Sequence, residues 1–142
     1  MGRVSLLLFA SLALAGCIAP LPQPDPQQAW VHLRMLTGRV VMAERLDKVN
    51  LPDGRYFQVR PGAHELLVRY DFDISGGGGG WGGMSGWMTG ERICYLTVRY
   101  NGFQAGQQYR LETRTLGIEP MARLYDAKGV MVAEDSDVNC LL

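Results

Sequence analysis

The chain has 142 residues, 14 basic and 14 acidic, with 47% hydrophobic residues, 18 glycines and three cysteines. That length accommodates one compact domain and not two. The even charge balance gives no footprint for nucleic acid and no polybasic membrane patch, and arginine supplies nearly all the positive charge, since Lys48 and Lys128 are the only lysines.

The first residues, MGRVSLLLFASLALAGC, combine one cation at Arg3 with an apolar run from Val4 to Ala15. The run is too short to cross a bilayer core of about 30 Å, and it reads as an export signal. Its last four residues, Leu14-Ala15-Gly16-Cys17, resemble the lipobox of bacterial lipoproteins. The resemblance implies cleavage after residue 16, diacylglycerol on the Cys17 sulfur and an acylated new amino group. In that family a residue other than Asp after the cysteine, here Ile18, implies sorting to the outer membrane, with the domain on the periplasmic side. Two or more acyl chains hold a protein stably, whereas one is marginal. The mature chain would have 126 residues, 13 basic and 14 acidic.

Residues 17–28 continue with prolines at 20, 22, 24 and 26. Such density favours extended polyproline II and predicts a semi-rigid tether of about 3 Å per residue. From residue 29 to 142 the hydrophobic period is mostly two. Val31, Leu33 and Met35 alternate with His32, Arg34 and Leu36. The segment VVMAERLDKV, residues 40–49, fits helix and strand about equally and is assigned as strand. His64, Leu66, Val68, Tyr70 and Phe72 form one row, and Cys94, Leu96, Val98 and Tyr100 another, as expected of half-buried strands. Turns are predicted at Leu51 to Gly54, Arg60 to Gly62, Asn101-Gly102 and Asp126 to Gly129, the last closing a hairpin. The expectation is an all-β fold, a single antiparallel β-sandwich of seven or eight strands.

Two segments carry resemblances. GFQAGQQYRLETRT, residues 102–115, resembles the tyrosine corner of immunoglobulin-like and fibronectin-type sandwiches, which implies that the Tyr109 phenol bonds nearby backbone. YFQVRPGAHELLVRY, residues 56–70, looks like the strand-PG-strand core of PEGA-type periplasmic β-domains. Neither resemblance implies an activity. With Cys17 committed to lipid, Cys94 and Cys140 remain, and an even pair in an oxidising compartment favours a disulfide, stabilising the fold by roughly 4 kcal/mol. Free thiols are the alternative.

Residues 75–90, SGGGGGWGGMSGWMTG, lack the lysine and hydroxyl of a P-loop and the helix of a dinucleotide loop, so no nucleotide is expected. Trp81, Met84, Trp87 and Met88 make this stretch a candidate partner-binding tip, with slack glycine loop as the alternative. His64-Glu65 begins like HExxH but lacks the second histidine, so no metal site, catalytic residue or cofactor is expected. His64 reads as a satisfied core-edge histidine and His32 as surface. Asp71 and Asp73 read as a solvated strand edge that discourages aggregation. The function these features support is a non-catalytic interaction module, anchored at Cys17 and meeting an envelope protein or cell-wall component. A periplasmic lysozyme inhibitor and a small-molecule or lipid carrier are the alternatives.

Overall fold

The computed structural model describes residues 19–35, 39–75 and 89–141. Every regular element among them is a strand: β1 (Ala29–Arg34), β2 (Val40–Leu46), β3 (Val49–Asn50), β4 (Tyr56–Val59), β5 (Gly62–Ser75), β6 (Thr89–Phe103), β7 (Gln108–Leu116), β8 (Glu119–Tyr125) and β9 (Met131–Cys140). They hydrogen-bond in the order β3-β2-β5-β6-β9-β8-β7-β1-β4. All pairs are antiparallel except β1 with β7. The fold is all-β, as expected, and takes the form of a curled mixed sheet of nine strands with one parallel pair, against an expectation of seven or eight antiparallel strands.

Two features of the sequence explain the difference. Residues 40–50 form two strands rather than one, because the chain turns at Asp47 and Lys48, both in the left-handed region at φ 49° and 70°. Such hairpins ordinarily use Asn-Gly or Asp-Gly. Here the Asp47 side chain substitutes for glycine's freedom by binding β5, with Oδ1 accepting from Glu65 N at 2.9 Å. The parallel pair has no local signature either, since β1 and β7 are separated by more than seventy residues and meet only in the finished fold.

Strand β9 joins the two halves of the sheet. Its first residues pair with β8 as far as Glu134, and from Asp135 onward it pairs with β6. At the changeover the Asp135 carboxylate accepts the Ala122 N–H at 2.7 Å. Ser136 is the extra residue of the β-bulge there, and its hydroxyl donates to the Thr97 carbonyl. The free edges of β2 and β4 come together through the intervening segment, where Ala43 N donates to Gly54 O at 2.8 Å and Leu51 N to Glu44 O at 3.0 Å. These bonds satisfy edge groups that would otherwise invite pairing with another chain.

The curl encloses one core from both halves. Leu66, Val68, Tyr70, Phe72, Cys94, Leu96 and Val98 come from β5 and β6, and Val31, Phe57, Val59, Tyr109, Leu111, Ala122 and Leu124 from the other half. Leu66 to Phe72 and Cys94 to Val98 are buried in the rows read from the sequence, with His64 and Tyr100 half-buried, whereas the β1 row is buried at Val31 and ends on exposed Met35. A disulfide joins Cys94 to Cys140, directly opposed residues of β6 and β9. Asn101-Gly102 does not end its strand. Together they oppose Ala63 as a bulge, and β6 runs on to Phe103. A Cβ at 102 would stand 2.7 Å from the Tyr100 hydroxyl, so a larger residue there would push the Tyr100 side chain aside.

The described part of the proline-rich segment is bonded to the domain. Gly106 N donates to Gln28 O at 3.0 Å, Asp25 holds the backbone of Gln27 and Gln28, and Arg55 Nη1 donates to Ala19 O at 2.7 Å. Between residues 19 and 28 the chain lies along the domain rather than projecting as a spacer.

Candidate functional site

Of the sequence-derived candidates, Cys17, Trp81, Met84, Trp87 and Met88 lie outside the described residues. Ser75 and Thr89 are register partners, so the Trp/Met segment leaves and returns at the end of the longest hairpin. At the fold's other end, Tyr109 on β7 donates its phenol hydrogen to Gly102 O at 3.3 Å and accepts from Gln104 N at 3.2 Å. Burial raises the Tyr109 pKa above its ordinary 10.0, against the opposing effect of the Gln104 N–H. Phe103 packs edge-on against both Tyr100 and Tyr109, with centroids 5.0 and 5.1 Å away.

Asp71 corrects the sequence reading. It is not at a solvated edge but on β5, an interior strand between β2 and β6, and only 7% exposed. Arg69, two residues away on the same face, grips it with two hydrogen bonds of 2.9 and 2.8 Å. Such a pairing offsets the cost of burying the carboxylate.

A cleft of about 520 Å³ opens at the end of the β5–β6 ladder opposite Ser75–Thr89, lined by Asp47, His64, Glu65, Arg99, Tyr100 and Val132 among others. Asp47 organises it from the β2–β3 turn, with Oδ2 2.6 Å from His64 Nδ1. Burial works to raise the Asp47 pKa, but the Glu65 N–H and His64 outweigh it and hold the carboxyl below its usual 3.8. Arg99 bonds Glu65 at 2.7 Å and the Ser136 hydroxyl at 2.7 Å. The polar groups of this cleft are thus bonded to one another, and His64 makes no hydrogen bond to a hydroxyl among the described residues.

A second arrangement escapes sequence reasoning altogether. On the outward face of β7, Glu112 sits between Arg110 and Arg114 along its own strand, and its register partners on the flanking strands are Arg34 of β1 and Arg123 of β8. Four arginines thus form a cross about one carboxylate. Arg34 Nη1 lies 3.5 Å, Arg110 Nε 2.8 Å and Arg114 Nη2 3.1 Å from its oxygens. The Arg110 Nε–H is buried and misaligned, and it makes no hydrogen bond. The Arg110 guanidinium also lies over the Tyr125 ring, 5.2 Å from its centroid. Nothing in a linear reading of RLETR shows that Arg34 and Arg123 complete the cross, because that depends on strand register. The signal available was the arginine-for-lysine bias, since the planar guanidinium suits shared carboxylates and phosphates better than a lysine ammonium.

Compared with protein-family models, with curated proteins and with solved structures, the chain matches none.

Proposed function

We propose that the protein is an outer-membrane lipoprotein, acylated at Cys17, whose all-β domain is a non-catalytic interaction module on the periplasmic side. The leader with its LAGC junction supports the anchor, and the Cys94–Cys140 bridge is in keeping with an oxidising compartment. The two half-sheets joined by β9 are read as the faces of a sandwich that serves as a rigid platform.

The observation that supports the module reading is where the β5–β6 ladder ends, since the Trp/Met segment connects its last pair in sequence. The ladder ends at Ser75–Thr89, at the same end of the fold as exposed Met35, Val40, Leu116, Ile118 and Leu141. Aromatic and methionine residues in the segment that connects these two strands suit an adaptable contact with an envelope protein or cell-wall component. Crosslinking and pull-down from intact envelopes tests this by comparing the native chain with Trp81→Ala plus Trp87→Ala. Loss of specific partners from the variant is expected. Equal recovery by both baits defeats the binding-tip reading.

A further inference from the structure

We propose that the arginine cross on β1, β7 and β8 binds phosphate headgroups, and that the domain lies with this face on the anionic bilayer to which it is tethered. The proposal rests on the Cys17 anchor reading and adds an orientation to it. Three guanidiniums lie within 3.5 Å of the Glu112 carboxylate and Arg123 is its register partner on β8, which leaves an excess of cation around one carboxylate. Arg34 and Arg114 are about half exposed, at 58% and 47%, whereas Glu112 is 16% exposed. An arriving anion therefore meets guanidinium edges first. Arg110 adds a third guanidinium within 3.5 Å of the carboxylate, its Nε 2.8 Å away. Planar guanidinium forks bind phosphate with paired hydrogen bonds, and each arginine near an anionic surface adds to membrane attraction.

The tether points the same way. Arg55 is fixed by Asp53 through bonds of 2.9, 3.1 and 2.6 Å, and its remaining nitrogen holds the Ala19 carbonyl. Arg55 immediately precedes β4, the strand beside β1. Residue 17 can therefore stand no more than about 7 Å beyond Ala19. A lipid chain on Cys17 would bring the bilayer to the side of the sheet where β4 and β1 run, next to Arg34. On the same face Glu134 is the register partner of Arg123 and Glu119 begins β8, so four arginines stand against three carboxylates, a smaller but still positive balance. The outward face of β2, β5, β6 and β9 is the opposite in sign, with Glu65, Asp71, Asp73, Glu91 and Asp137 against Arg45, Arg69 and Arg99. A negatively charged surface therefore favours one face over the other.

The test is arginine-specific dicarbonyl footprinting of the full protein, purified from envelopes in its native form. The protein is placed on vesicles of phosphatidylglycerol or of phosphatidylcholine, and labelling is read by mass spectrometry residue by residue. On phosphatidylglycerol, labelling of Arg34 and Arg114 should fall about fivefold relative to phosphatidylcholine, with Arg45 and Arg99 unchanged. The protection should disappear at about 1 M salt, where screening is nearly complete. The Arg34→Gln plus Arg114→Gln variant should lose the protection of Arg123, and Arg99→Gln should keep it. Equal labelling on the two lipids, or protection of Arg45 and Arg99 instead, overturns the proposal. So does equal protection by millimolar inorganic phosphate without vesicles, since the cross would then be a site for free anion. The mass of the N-terminal peptide in the same sample reports separately on the anchor: an unmodified Cys17 sinks the anchor reading, while lipid-dependent protection still reads out the arginine face.

Discussion

Strands β5 and β6 turn Glu65, Asp71 and Glu91 outward, with Arg69 and Arg99 drawn into pairs with those acids, whereas β1, β7 and β8 gather four arginines about Glu112. Inward, the two regions are alike: each gives an alternating row of aliphatic and aromatic side chains to the same core. The inward rows answer to packing, which tolerates many arrangements of similar volume. The outward rows are free to differ, and function is to be sought in that difference.

The sharpest way to break this picture is at the covalent link between β6 and β9. Cys140→Ser, or reduction, should lower stability by about 4 kcal/mol in chemical denaturation, because the bridge closes 46 residues. Truncating one core leucine from each half compares them directly. Leu96→Ala and Leu111→Ala, both fully buried, should each cost about 3 kcal/mol. A cost below about 1 kcal/mol at Leu111 alone would mean that the halves do not share one core. Tyr109→Phe removes a donor to Gly102 O and an acceptor for Gln104 N, and should cost about 1–2 kcal/mol with the fold retained.

Smaller effects come from the charges. Arg34→Gln plus Arg114→Gln should change stability by less than about 0.5 kcal/mol, since exposed ion pairs contribute little and relief of like charge opposes their loss. Acid should act through the carboxylates. Asp47 is held below 3.8 by the Glu65 N–H and His64 against its burial, and Asp53 chiefly by its hydrogen bonds to Arg55. Their folded pKa values are depressed, so the stability they contribute is present above 3.8 and lost as pH falls through those folded values. At the other extreme Tyr109, raised by burial, contributes below pH 10.0 and loses that contribution as pH climbs through its folded value. Thermal melts across pH should show both losses, with the acid limb reduced in Asp47→Asn.

Much of the interior was legible from a period of two. His64 to Phe72 and Cys94 to Tyr100 showed their buried rows because each side chain's face follows from its position in the strand. The hairpin at Asp126 to Gly129 was equally plain, since Asp126 caps the turn and Gly129 takes φ 80°. What escaped depended on partners distant in the chain. Asp47-Lys48 turns without glycine because Glu65 and His64 hold Asp47. Asp71 looked like an edge residue until β2 was found beside it. The cross around Glu112 requires the register of β1, β7 and β8 together. A linear pattern carries intrastrand alternation but not which strands become neighbours.

The account depends most on the chemistry of residue 17. Intact-mass and fragment spectra of the protein recovered from cells decide it directly. The expected result is a chain that begins at Cys17 and carries thioether-linked diacylglycerol with an amide-linked acyl group. A chain that retains residues 1–16 and an unmodified thiol, recovered from the cytosolic fraction, would contradict it.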